Sequence, residues 1–273
     1  MADMWGDLLD VQDEAAAKKK SEAELKQFTV DEGLSDIARA LLFLKGANEV
    51  QVHHVAANLA ALFREHGRAV HDQLGDQVTR LVRKCAPEIS VCVAQSMLQM
   101  VQRKYMSEAD AASCALGVAV AAITATRSET EVFNSWLEVL DALVPTLPAA
   151  VLETDLCALA LHKGEVDASV ESRVACCSIL GAIAPRLSKA TVEHRFLTKA
   201  MDMCQDTDYA VRICMCGQLA AIAHAIGPEA TEALVLPEVL ELVEDEERSV
   251  RLAAYQCVLE LLGGGAEDDG GEE

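Results

Sequence analysis

Three thiols and two carboxylates crowd into residues 204–219, CQDTDYAVRICMCGQL, where Cys204, Cys214 and Cys216 stand beside Asp206 and Asp208. Thiolates bind zinc and exchange disulfides, so the cluster raises the possibility of metal or redox chemistry. Its spacing argues for something plainer. A thiolate zinc site takes about four ligands in tight pairs of the CxxC kind, whereas here there is one CxC, with an adjacent pair further off at Cys176-Cys177. The histidines do not complete a site. His53 and His54 are neighbours, so on a helix they point about 100° apart, His66 and His71 flank a turn, and His162, His194 and His224 stand alone. No GxSxG, P-loop, HExxH or GxGxxG pattern places a nucleophile, base or phosphate cradle. The residues predict no catalytic group, no metal and no cofactor, and free cysteines of this kind belong by preference in a core.

The elements that position these side chains are read from composition and period. Aromatic residues make up 4% of the 273 and the alternation of a half-buried strand is absent, while apolar residues recur at spacings of three and four, as in Val174, Cys177, Leu180, Gly181 and Ala184. Pro and Gly at 67, 87, 148, 164, 227 and 228 punctuate the periodic stretches. The expectation is an all-α chain. A net charge of -21, from 44 acids against 23 Lys and Arg, disfavours nucleic acid and anionic membrane as partners and favours proteins with basic patches. No uninterrupted apolar run reaches the roughly 18 residues of a membrane span, and the first twenty residues resemble neither a signal nor a basic transit peptide. These features lead to the expectation of a cytoplasmic protein.

A repeat sets the architecture. The segments DASVESRVACCSILGAI, DTDYAVRICMCGQLAAI and DEERSVRLAAYQCVLEL place Asp167, Asp206 and Asp245 in register at steps of 39 residues. The same step relates Arg173, Arg212 and Arg251, and then Leu180, Leu219 and Val258. The preceding helices follow it too, Leu197, Ala200, Met201 and Cys204 mapping onto Leu236, Val239, Leu240 and Val243. A two-helix unit of about 40 residues, with Asp in the turn and Val-Arg opening the second helix, is similar to the HEAT repeat. Upstream, a shorter step of 37 relates Leu137, Leu140 and Leu143 to Val174, Cys177 and Leu180, which puts Trp136 at the Arg position. Helix pairs are expected at 34–66, 70–103 and 107–147, making six in all.

The expected organisation is an acidic, partly disordered segment at 1–30, a HEAT-like α-solenoid of about six antiparallel helix pairs at 31–262, and a disordered Gly and acid tail at 263–273. Within the first segment Trp5, Leu8 and Leu9 lie at helical spacing, as a docking motif or a flap over the first pair. The register also answers the thiol question. Cys216 aligns with Cys177 and Tyr255, and Cys214 with Ala175 and Ala253, substitutions suited to packing positions and not to ligand slots. Arg173, Arg212 and Arg251 are expected to bridge neighbouring repeats, with Asp206 and Asp245 capping helices or accepting turn amides. Polar turn residues Asp167, Asp206, Asp208, Asp245, Glu246 and Arg248, with Asn134 and Trp136 where the pattern breaks, are the candidate partner-binding residues.

Five stretches carry a more specific resemblance: TVDEGLSDIARAL, NSWLEVLDALVPTLP, VESRVACCSILG, CQDTDYAVRICMCGQL and VLPEVLELVEDEERSVRLAAY. In this order they resemble the N-terminal HEAT region of the protein phosphatase 4 regulatory subunit 4 family. The resemblance implies a non-catalytic, largely cytoplasmic subunit that binds the catalytic subunit of a 2A-like serine/threonine phosphatase. It transfers no contacting residue by position. Read without it, the acidic solenoid also suits an importin-like transport or cargo adaptor.

Overall fold

The computed structural model describes residues 33–46 and 48–263, so the segment expected at 1–30 and the tail from 264 onward lie outside the described residues. Thirteen helices and no strand occupy what is described. They form six pairs. The first is α1 (Asp36–Lys45) with α2 (Glu49–His66), the second α3 (Arg68–Val82) with α4 (Pro87–Gln102), and the third α5 (Glu108–Ala125) with α6 (Thr130–Leu143). The fourth joins α7 (149–163) to α8 (Val170–Ile183), and the fifth joins α9 (Lys189–Arg195) and α10 (Leu197–Cys204) to α11 (Tyr209–Ile226). The sixth is α12 (228–243) with α13 (Arg248–Gly263).

Local sequence explains most of the boundaries. Ser35, Asn48, Ser107, Ser169, Ser188 and Asp208 each turn a side-chain oxygen onto an amide of the first helical turn, satisfying donors that have no partner within the helix. Pro87 opens α4 at a position where its missing N–H costs nothing. Gly67 and Gly227 have φ of 57° and 81°, and they carry the chain from one pair to the next in a conformation that side chains resist.

The second helices, α2, α4, α6, α8, α11 and α13, pack each on the next and form one continuous layer. The first helices form the other layer, and they are the irregular ones. Wide π turns interrupt α5 at Ala111–Ala115, α7 at Leu152–Leu156 and α12 at Thr231–Val235. In the fifth pair the helix breaks outright, at Phe196 with φ of -145° between α9 and α10. A single apolar core runs between the layers through all six pairs.

Two findings correct the sequence reading. Helices Glu108–Ala125 and Tyr209–Ile226 are long and apolar enough to cross a membrane by length and composition; counting uninterrupted runs hid this, because mean hydropathy tolerates scattered polar residues. Both stand inside the stack, with α11 packed between α8 and α13 and α5 packed against α3 and α6. The second correction concerns register. The 3-10 turns Val144–Thr146 and Ala184–Arg186 close α6 and α8 in the same way, each with Pro at its centre. Pro145 and Pro185 are 40 residues apart, so the step there is 40 and not 37. The difference is close to one helical turn, which leaves the leucine pattern almost unchanged.

Candidate partner-binding ridge

Turns between the first and second helix of the second to sixth pairs, at 83–86, 126–129, 164–169, 205–208 and 244–247, line one edge of the stack. In the last three pairs this edge is built by arginine forks. Arg173 on α8 donates through Nε and Nη2 to Asp206 at 2.7 and 2.9 Å, and through Nη1 to the carbonyl of Ala168 at 2.6 Å. Arg212 on α11 repeats the arrangement one pair later. Its Nε and Nη2 lie 2.8 and 2.9 Å from Asp245, and its Nη1 lies 2.8 Å from the carbonyl of Asp206.

Each carboxylate does two jobs. Asp206 accepts from the amide of Asp208 at 2.9 Å, and Asp245 accepts from the amide of Glu247 at 2.8 Å, so the oxygen that fixes the turn also holds the neighbouring repeat. Arg173 and Arg212 thus bridge neighbouring pairs and the aspartates hold their turns, whereas Arg251 bonds only the Asp245 and Glu246 carbonyls of its own turn. The Arg212 hydrogen bond holds Asp245 below the usual carboxylate range, against partial burial, with the Glu247 amide adding to it. For Asp206 burial is the largest influence and pushes upward, but Arg173, the Asp208 amide and Arg212 together win and its pKa is lowered. Arg173 and Arg212 are raised in return, each chiefly by its aspartate.

The candidate residues therefore divide. Asp206 and Asp245, 7% and 10% exposed at the side chain, are committed to the stack and are corrected here from contact residues to junction residues. Asp208 is half-buried and caps α11 through Ala210 at 2.8 Å. Glu246, Arg248, Asn134 and Asp167 are exposed on the surface. Trp136 is not. It is fully buried, and its Nε1 donates to Ser90 on α4 at 3.0 Å. With the step at 40, Trp136 stands at the Cys176 position, another fully buried site, and Phe133 takes the arginine position.

That replacement makes the junction between the third and fourth pairs different from the two that follow it. Lys163 from α7 sits 5.2 Å from the centre of the Phe133 ring and donates to the carbonyls of Thr126 at 3.0 Å and Thr124 at 3.4 Å. A cation over an aromatic face, tied to the open carbonyls at the end of α5, stands where a guanidinium and carboxylate stand elsewhere. Burial lowers the Lys163 pKa. Sequence reading missed this residue. Asp167, in register with Asp206, meets no partner among the described residues. Packing of α6 on α8 is also thinner than that of the other second helices.

Beyond the forks the ridge is acidic. Gln205 donates to both Glu238 and Glu241, at 2.8 and 2.9 Å, and a polar groove runs from these carboxylates past Asp206, Arg212, Asp245 and Glu246. Such a surface offers carboxylates to an ammonium or guanidinium group.

The thiols of the opening cluster are elsewhere, in the core. Cys204 and Cys216 are fully buried, with Cys176 and Cys177 beside them, and all ten cysteines are free. Burial pushes Cys216 and Cys176 up to about 12. Cys214 is half-buried and shifts the other way, chiefly through its interaction with the neighbouring Cys177 thiol. Two groupings were not legible in sequence. Cys92 and His53 meet at 3.2 Å between α4 and α2. Asp36, Glu65 and His66 bring ligand atoms within 4.8 Å of one another on the exposed edge of the first pair, where Arg39 already lies 3.7 Å from Asp36.

No protein-family model matches the chain. Over 193 residues, 71% of its length, it is 35% identical to serine/threonine-protein phosphatase 4 regulatory subunit 4 of Mus musculus, and 34% identical to the protein of that name from Homo sapiens. The matched region is 22% of each relative, so the chain spans less than a quarter of the length of either. Among solved structures, that of Cex1p superimposes on 84% of this chain and 44% of its own with a TM-score of 0.55 at 12% identity, a likeness of fold.

Proposed function

We propose that this chain, homologous over 193 residues to serine/threonine-protein phosphatase 4 regulatory subunit 4, is a non-catalytic scaffold that binds the catalytic subunit of a 2A-like serine/threonine phosphatase. The observation that carries the reading is the identity of 35%, which extends across most of a helix stack whose junctions depend on specific residues. The acidic ridge supports it. Gln205, Glu238, Glu241 and Glu246 present hydrogen-bonding and negatively charged groups along one edge, and complementary charge chiefly speeds encounter with a basic surface. The relatives carry most of their length outside the match, and the reading requires that the contact lie within these six pairs. Ten free thiols are in keeping with a reducing compartment such as the cytoplasm.

Titration of the purified chain against the catalytic subunit of protein phosphatase 4, with the related 2A catalytic subunit as control, tests the proposal. Saturable binding is expected, with Glu241→Lys plus Glu246→Lys weakening it about tenfold, mostly through slower association. A folded chain that does not bind overturns it. Saturable binding of a basic nuclear-localisation peptide in its place would establish the transport-adaptor reading.

A further inference from the structure

We propose that Cys177 and Cys214 form an oxidant-sensitive pair, in which a hydroperoxide converts the two thiols into a disulfide that clamps the fourth helix pair to the fifth. The inference does not rest on the phosphatase reading.

The way α8 meets α11 sets the pair. The Sγ of Cys214 lies 3.4 Å from the Ser178 Oγ and 3.6 Å from the Val174 carbonyl, so it rests on the turn of α8 that carries Cys177, and the two thiols are in hydrogen-bonding contact. One turn further along both helices the approach is tighter still. A Cβ added to Gly181 would lie 2.7 Å from the Gln218 Cβ, and Cys177 and Cys214 each precede that contact by four residues. A disulfide needs Cβ atoms about 3.5–4.5 Å apart, and one turn from so close an approach the separation widens toward that range.

Packing alone does not call for two thiols at this place. The corresponding positions hold Leu137 with Ala175 one junction earlier and Cys216 with Ala253 one junction later. Of these three junctions, only the one between α8 and α11 sets a thiol against a thiol.

The two sulfurs are not equivalent. Cys177 is fully buried, whereas Cys214 keeps part of its surface in solvent. The Cys177 thiol and then the Ser178 hydroxyl hold Cys214 below the ordinary thiol range against its burial, while burial raises Cys176, Cys204, Cys216 and Cys257. The thiolate is the nucleophile, and an accessible thiolate beside a second thiol is the arrangement of a redox-sensing pair. Cys214 therefore attacks first. Its thiolate takes one oxygen of the hydroperoxide: an S–O bond forms, the O–O bond breaks, and the departing alkoxide picks up the proton that Cys214 released. Cys177 then attacks the sulfenic sulfur, forming the S–S bond and breaking the S–O bond, and hydroxide leaves as water with the Cys177 proton. The two thiols lose an electron pair, and the hydroperoxide is reduced to an alcohol and water.

Treatment of the native whole chain with hydrogen peroxide, then alkylation of the remaining thiols and trypsin digestion without reductant, tests this. Cleavage after Arg173, Arg186, Arg212 and Arg248 releases peptides 174–186 and 213–248, and these are expected to be joined, lighter than their sum by the two hydrogens lost, and to separate on reduction. The oxidised chain should also unfold at a higher denaturant concentration than the reduced one. Each peptide carries a second cysteine, Cys176 or Cys216, so variants assign the bond. Cys214→Ala, which installs the residue found at 175 and 253, should abolish the link, and Cys214→Ser serves where circular dichroism shows that variant misfolded. Cys177→Ala should abolish it too and leave Cys214 as a sulfenic acid that dimedone traps. Peptides that stay separate after peroxide treatment of the folded chain overturn the proposal, as does a link that survives Cys214→Ala.

Discussion

Arg212 shows how much one side chain carries in this molecule. It holds the turn of its own pair through the Asp206 carbonyl and the turn of the next through Asp245, so Arg212→Ala leaves a carboxylate and a carbonyl without their partner. Removal of one half of a largely buried ion pair costs about 2–4 kcal/mol, readable as a lower denaturation midpoint. The sign with pH follows from the depressed carboxyls. Asp206 and Asp245 have folded-state pKa values below the ordinary 3.8, so their contribution is complete above the unfolded-state range of about 4 and is lost as pH falls through the lower folded-state values. The gap in stability between wild type and Arg212→Ala should therefore shrink below about pH 4. A gap that widened there would remove the carboxylates from the account.

At the scale of the element, the second helices are defined by their buried stripe. Leu219 is fully buried on α11, between α8 and α13, and Leu219→Ala should cost about 2–5 kcal/mol as transfer and cavity losses add. A loss under about 0.5 kcal/mol in a denaturant titration would place it on the surface. This register was legible in sequence because the last three pairs repeat at 39 with both polar and apolar positions in step. It slipped one pair upstream, where only leucines were available as markers and a shift of one helical turn preserves their pattern. The matched prolines at 145 and 185 were the better guide, and they return Trp136 to the core and Phe133 to the arginine position. Lys163 could not be found this way. A lysine at the end of an apolar helix reads as a surface residue, and its burial depends on carbonyls left open at the end of α5, in another pair. The arginines and aspartates were legible as a bridge for the opposite reason: their partners lie at a constant separation, 33 residues in each fork.

Across the whole molecule, stability in a stacked array is the sum of its units and the junctions between them, and here the junctions are unequal. Pairs four, five and six are pinned by bidentate forks, while the step from the third pair to the fourth is held by Lys163 over Phe133, by hydrogen bonds from Ser169 to the Arg127 carbonyl and from Arg186 to the Pro145 and Leu147 carbonyls, and by a thinner contact between α6 and α8. The connection inside the fourth pair lies close by, with Val166 91% exposed and Asp167 open to solvent. To a protease this is a perforation. Brief digestion of the native chain should cut first within 165–168, and mass spectrometry of the fragments would show two blocks, one ending with α7 and one beginning with α8. First cleavage elsewhere among the described turns would mean that this connection is held as firmly as the others. Where the cut falls as expected, the half that keeps the arginine forks should outlast the other under continued digestion, and the molecule would prove to be two domains in its mechanics while remaining one in its fold.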